Sequence, residues 1–181
     1  VPSGIPLTLA DFEADSARRK SGAKGTTPRN EADQPRIMSG VFNDYTTGAP
    51  ILILFENTNT RSHDYSFLKD TPRPGHADFV ASKKFNGFED YRGGGHFSGR
   101  ITLGIVAAGV IAKKIITPVT VAAKLIEAGG SGDIDAALDK AIATQDSIGG
   151  IVECKAINMP IGMGEPFFCS LDAMIAHMMF S

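Results

Sequence analysis

Apolar positions along this chain fall into short runs punctuated by glycine and proline, and their spacing changes from one run to the next. Thr8-Leu9-Ala10-Asp11 reads as a capping box, with the threonine placed to bond the amide three residues on and the aspartate to reach back. A helix is predicted from about Leu9 to Lys20. Its Arg18, Arg19 and Lys20 fall at the C-terminal end, where positive charge suits the helix dipole. Ser21 to Pro35 is polar and broken by Gly22, Gly25 and Pro28, so it reads as a loop. Arg36 to Phe42 and Ile51 to Glu56 read as strands of a hairpin or meander, joined by Asn43-Asp44-Tyr45-Thr46-Thr47-Gly48.

Asn57 to Gly75 is a long polar stretch with two prolines, a length that marks a functional or disordered loop. The glycine-rich segment Gly87 to Gly99 leads into a helix near Arg100 to Ile115. Leu103, Val106, Ala107, Val110 and Ile111 make that helix apolar nearly all round, which predicts burial. Val119 to Glu127 reads as a strand, Ile134 to Thr144 as a helix after Gly129-Gly130-Ser131-Gly132, and Ile151 to Asn158 as a strand after Gly149-Gly150. A last helix, Leu171 to Phe180, follows Gly162-Met163-Gly164-Glu165-Pro166. The mixture predicts an α+β fold with sheets packed against buried helices. No repeat and no interdomain linker is evident, so residues 1–181 are expected to form a single domain.

Composition narrows the class. Of 181 residues, 43% are hydrophobic and 21% charged, with a formal net charge of −2. That is the composition of a globular chain, with no basic excess to favour nucleic acid or a membrane surface. The longest apolar run, Ile101 to Ala112, is too short to span a bilayer. Cys154 and Cys169 show no CxxC spacing and no disulfide framework, which points to a reducing, cytoplasmic compartment. The opening Val1-Pro2-Ser3-Gly4 and the last helix, which stops without a capping glycine, suggest the middle of something longer.

Two of the four histidines sit in suggestive contexts. His76 lies in Arg73-Pro74-Gly75-His76-Ala77-Asp78, and a loop histidine beside an arginine and an aspartate suits a general acid near neutral pH. A histidine that caps a turn is the alternative reading. His96 follows three glycines at the approach to a helix, where the backbone can come close to a ligand and free amides can meet a phosphate. A tight turn entering a buried helix explains the same pattern. His63 has no such context, and His177 sits at helical spacing among methionines. None of the four shows metal-ligand spacing, and no metal is assigned. Arginines gather in or beside loops, where their fixed fork suits carboxylate and phosphate oxygens. Gly93-Gly94-Gly95 lacks the context of a dinucleotide fingerprint, and no Walker lysine pattern occurs. The residues by themselves support an α+β protein with an anion-binding, histidine-containing cleft.

Several strings, taken together and in order, resemble chorismate synthases. They are Gly4-Ile5-Pro6-Leu7-Thr8 with Arg18-Arg19, Thr26-Thr27-Pro28-Arg29-Asn30-Glu31-Ala32-Asp33, Ser39-Gly40-Val41-Phe42 with Thr46-Thr47-Gly48, and Glu56-Asn57-Thr58. Arg61-Ser62-His63-Asp64-Tyr65, Arg73 to Asp78, Asp90 to Gly95, Ala107 to Lys114, Asp146 to Gly150 and Gly162 to Pro166 continue the series. The resemblance covers almost the whole chain. It implies a β-α-β sandwich with helices between antiparallel layers, a homotetramer, and loss of phosphate from 5-enolpyruvylshikimate 3-phosphate by anti 1,4-elimination to give chorismate. The family uses reduced FMN, which lends electron density as phosphate leaves and recovers it as the ring proton is lost; NADPH is a possible reductant of the flavin.

By the same resemblance, His76 corresponds to one of two catalytic histidines and is expected to donate a proton. His96, Phe97 and Ser98 correspond to a segment that contacts FMN. Arg18 corresponds to the first of two arginines that meet a reduced nucleotide or a phosphate, and Lys24 occupies the place of the second. Arg19, Arg29, Arg73 and Arg100 are the candidates for substrate contacts. Two departures stand out. Many members carry Arg-Ser-Ser-Ala-Arg where this chain has His96-Phe97-Ser98-Gly99-Arg100, and lysine at 24 cannot form a bidentate fork. The family's Phe-Gly-Glu-Ser-His-Gly segment would precede Val1, and its C-terminal half, with the catalytic aspartate, would follow Ser181. The 181 residues alone are therefore expected to be inactive. The alternative is a module that only binds an anion or associates with itself.

Overall fold

The computed structural model describes residues 1–26, 31–57 and 62–181. The chain divides into two compact units, Val1–Ile115 and Ile116–Ser181.

In the first unit the Thr8 signal starts a helix, but not a uniform one. Asp11 Oδ2 accepts from the Thr8 amide at 2.7 Å and from the Thr8 hydroxyl at 3.1 Å. The first turn, Leu9–Phe12, is a 3₁₀ helix, and α1 (Glu13–Arg19) continues from it. Tight 3₁₀ turns are frequent at helix starts, where amides lack intrahelical partners.

The stretch read as one strand from Arg36 to Phe42 is two, β1 (Pro35–Ser39) and β2 (Val41–Phe42). The break falls at Gly40, whose φ is +84°, and a Cβ there would lie 2.7 Å from the Pro50 carbonyl oxygen. β2 turns back into β3 (Tyr45–Thr46) through Asn43 and Asp44, both left-handed, as a two-residue hairpin requires. β1 pairs antiparallel with β4 (Leu52–Phe55), Ile37 opposite Ile53. The polar stretch after β4 contains a 3₁₀ helix at Ser62–Lys69, and α2 (Asp78–Lys84) was not foreseen from the sequence.

The helix entered from the glycine-rich segment, α3 (Thr102–Ile115), packs Ala107, Val110 and Ile111 against Leu7 and Phe12. Leu7 and Phe12 are each only 1% exposed, and Ile37, Ile53 and Phe55 close the sheet side of this core. The other face of α3, with Ile105, stays exposed. Periodicity shows that a helix is apolar all round but does not say which elements cover it.

The second unit is an antiparallel pair with a helix between its strands. β5 (Thr120–Ala128) pairs with β6 (Gly150–Ile157), Ala123 opposite Cys154. α4 (Ile134–Thr144) is capped by Asp133, whose Oδ1 accepts from the Ala136 amide at 3.1 Å. Its C-terminal end closes through Gln145 in the left-handed region. α5 (Leu171–Met179) ends the unit. Strand and helix positions of this unit such as Val152, Ile157 and Ile175 are exposed. Among the described residues no helix is long and apolar enough to cross a membrane.

Candidate functional site

The turn before α2 builds a three-residue network. The His76 amide meets the Arg73 carbonyl at 3.4 Å, with Gly75 at φ +70° between them, so both side chains reach the start of α2. Asp78 opens that helix, where its charge suits the dipole. It accepts from the Arg73 amide at 3.0 Å, from Arg73 Nε at 2.8 Å and from Arg73 Nη2 at 2.9 Å. The His76 Nδ1 lies 2.7 Å from Asp78 Oδ1. Arg73, through its side chain first and its amide next, holds the Asp78 carboxyl well below the usual carboxylate range despite burial, which acts the other way. Arg73 Nη2 stands 3.2 Å from each ring nitrogen, so with Nδ1 donating to Asp78 the Nε2 lone pair faces that guanidinium. The carboxylate thus fixes the orientation of the ring.

The glycine-rich segment separates two clefts. Asp90 starts it by accepting from the Arg92 amide at 3.1 Å and from Arg92 Nε and Nη2 at 2.8 Å each. The same arginine lowers the Asp90 carboxyl to about 2. A 3₁₀ helix then spans Arg92–Phe97. Gly95 has φ +50°, and a Cβ there would lie 2.5 Å from the Asp90 carbonyl oxygen, so this turn closes only with glycine.

On one side is a cleft of about 400 Å³, into which Tyr91, His96 and Phe97 face together with Asp78, Phe85 and Glu89. The rings of Phe85 and His96 are 5.8 Å apart, and those of Phe85 and Phe97 6.5 Å. On the other side is a more open cleft of about 420 Å³, lined by Arg92, Gly95, Ser98 and Arg100. The first lining is rich in aromatic rings, and the second carries two arginines, each paired with an acid, beside apolar Phe55, Ile101 and Leu103.

Arg19 and Arg100 converge on a buried acid. Arg100 Nη1 donates to Asp33 Oδ1 at 2.6 Å, and Arg19 Nη1 reaches Asp33 Oδ2 at 3.5 Å. Arg19 Nη2 also donates to the Gly99 carbonyl at 3.1 Å, and Arg100 Nη2 to the Glu56 carbonyl at 3.2 Å. The pair therefore ties α1 and β4 to the entrance of α3.

The candidates are thus distributed over three places. His76 and Arg73 share one network, through Asp78, with the aromatic cleft that His96 and Phe97 line. Ser98 and Arg100 line the basic cleft, and Arg19 lies behind Arg100 on Asp33. Arg18 and Lys24 are exposed and lie outside both linings. Arg29 falls outside the described residues. The sequence did not single out Phe85, Glu89 or Tyr91 for the site, nor Asp33 as the partner of the arginines. Phe85 and Glu89 bracket the Asn86-Gly87 turn, a signal for a loop that by itself points to no cleft.

The family model for chorismate synthase matches residues 1–181. A chorismate synthase of Chitinophaga pinensis is 65% identical over all of this chain, which covers 55% of that protein. One from Dehalococcoides mccartyi is 40% identical over all of the chain and 58% of its own length. One from Ignicoccus hospitalis is 41% identical over 99% of the chain and 55% of its own length. A crystal structure of chorismate synthase superposes with a TM-score of 0.63 at 21% identity, covering 91% of this chain and 54% of that one, a likeness of fold. The chain spans little more than half the length of the relatives it matches.

Proposed function

The chain belongs to the chorismate synthase family, and on that premise we propose that it supplies part of an active site that eliminates phosphate from 5-enolpyruvylshikimate 3-phosphate to give chorismate. The observation that carries this reading is the Arg73–His76–Asp78 network at the edge of an aromatic cleft. It offers an oriented imidazole beside an open cleft lined mainly by aromatic rings.

The aromatic cleft fits the ring of reduced FMN. Phe85, His96 and Phe97 offer surfaces for a planar heterocycle. When bound, reduced FMN supplies the electron density that the loss of phosphate demands. The rest is work for the chain. His76, held by Asp78, passes a proton through Nε2. Arg92, Ser98 and Arg100 in the basic cleft meet anionic groups, with Arg19 and Asp33 keeping Arg100 in place. Arg73 neutralises charge near His76, and Arg29 belongs to the same anion-binding set. Arg18 and Lys24, exposed on the first unit, suit the phosphate of a reduced nucleotide such as NADPH. A cytoplasmic homotetramer completes the reading.

Residues 1–181 turn over no substrate by themselves on this reading, because preorganised groups elsewhere in the fold are needed to stabilise the transition state. The test is to follow chorismate formation from 5-enolpyruvylshikimate 3-phosphate with FMN under reducing conditions. Turnover by the whole protein and none by residues 1–181 is the expected pair of results. No turnover and no flavin binding by the whole protein would overturn the proposal.

A further inference from the structure

Each oxygen of the Asp78 carboxylate meets two donors. Oδ2 accepts from the Arg73 amide at 3.0 Å and from Arg73 Nε at 2.8 Å. Oδ1 accepts from Arg73 Nη2 at 2.9 Å and lies 2.7 Å from His76 Nδ1. Arg73 favours the charged form of this acid, and an ionised carboxylate has no proton to donate. The hydrogen between Oδ1 and Nδ1 therefore belongs to the imidazole. Arg73 Nη2, another donor, stands 3.2 Å from each ring nitrogen, and Nε2 is the one with a lone pair to face it. Both neighbours thus select the same neutral form of His76, Nδ1–H, which is the minor tautomer of free histidine.

Resting on the reading of His76 as the group that passes a proton, we propose that Asp78 is a positioning residue that selects the tautomer of His76 and so decides which nitrogen exchanges the proton. With Nδ1–H committed to Asp78, a proton is taken up and given back at Nε2 alone. Asp78 balances the charge of the imidazolium in between. Arg73 acts through Asp78, because its fork and amide fix which carboxylate oxygen is turned toward the ring. Asp78→Asn exposes the dependence without changing the size of the side chain. The two Arg73 donors at the Oδ2 position hold the single amide oxygen there, so the amide nitrogen falls at the Oδ1 position and donates to Nδ1. The imidazole proton then moves to Nε2, which can no longer accept one.

The test reads the tautomer directly. Nitrogen-15 NMR is recorded on the whole protein, labelled at histidine, at about pH 9, above the ordinary histidine range. The signals of His76 are those missing from His76→Gln. Wild type is expected in the Nδ1–H form and Asp78→Asn in the Nε2–H form. Turnover of Asp78→Asn should fall by about 10²–10⁴, the scale of a general acid or base held in the wrong tautomer. Its KM for 5-enolpyruvylshikimate 3-phosphate should stay within about twofold of wild type, since no substrate contact is removed. A thermal melt shows that the variant is folded, and the wild-type tautomer needs no variant at all. Wild type in the Nε2–H form would overturn the assignment. So would an Asp78→Asn variant that keeps Nδ1–H or turns over like wild type. No turnover by wild type would instead overturn the functional reading, and the tautomer is measured without it.

Discussion

Arg100 and Asp33, 67 positions apart in the sequence, meet at 2.6 Å, and the acid is the more buried of the two. The Asp33 side chain is 5% exposed and Arg100 23%, with Arg19 at 22% on the other carboxylate oxygen. Asp33→Ala would leave two partly buried guanidinium groups facing each other with no acid between them. A loss of about 2–3 kcal/mol is expected, below the range for a fully buried pair because the arginines retain some solvent. Chemical denaturation measures it. A variant as stable as wild type would mean that the cluster contributes nothing to holding α1 against α3.

Asp78 makes stability depend on pH with a definite sign. Its folded carboxyl lies well below the usual range because Arg73 binds the charged form. A depressed folded value contributes stability above the unfolded value, near 4, and that contribution is lost as pH falls through the folded value. Wild type should exceed Asp78→Asn by about 2 kcal/mol at neutral pH, the scale of a hydrogen bond to a charged group. The gap should shrink progressively below about pH 4. Urea melts across the acid-to-neutral range check this, and a gap constant down to the acid end would contradict it.

His76→Ala tests the proposed proton transfer, since it removes the imidazole held by Asp78 and none of the rings that line the aromatic cleft. In the whole protein, turnover should fall by about 10²–10⁴, the usual worth of a positioned general acid. Flavin affinity should stay as in wild type. A variant that keeps its turnover would remove His76 from the mechanism.

Gly95→Ala tests whether the turn separating the two clefts is built on glycine. The added Cβ would stand 2.5 Å from the Asp90 carbonyl oxygen, on a residue with φ +50°. Backbone strain of that kind costs about 1–3 kcal/mol. Lower melting temperature together with weaker flavin binding is expected. Unchanged values for both would show that the segment can rearrange without cost.

Local signals in the sequence determined much of this protein. The Thr8–Asp11 pairing, the start and end of α4, and the strands β5 and β6 follow from caps, glycines and apolar runs, all of which act over a few residues. The family, too, was legible from motifs in order. The split of one expected strand at Gly40 and the existence of α2 were not, because both depend on contacts that periodicity does not encode. The site divides in the same way. His76, Arg73 and Asp78 are close neighbours along the chain, so their network could be anticipated from it. The convergence of Arg19 and Arg100 on Asp33 and the meeting of Phe85 with His96 join residues distant in sequence. Only the tertiary fold decides such contacts, because hydrogen bonds and ring packing act over a few ångströms and the pattern of the chain does not fix which distant residues come within that range.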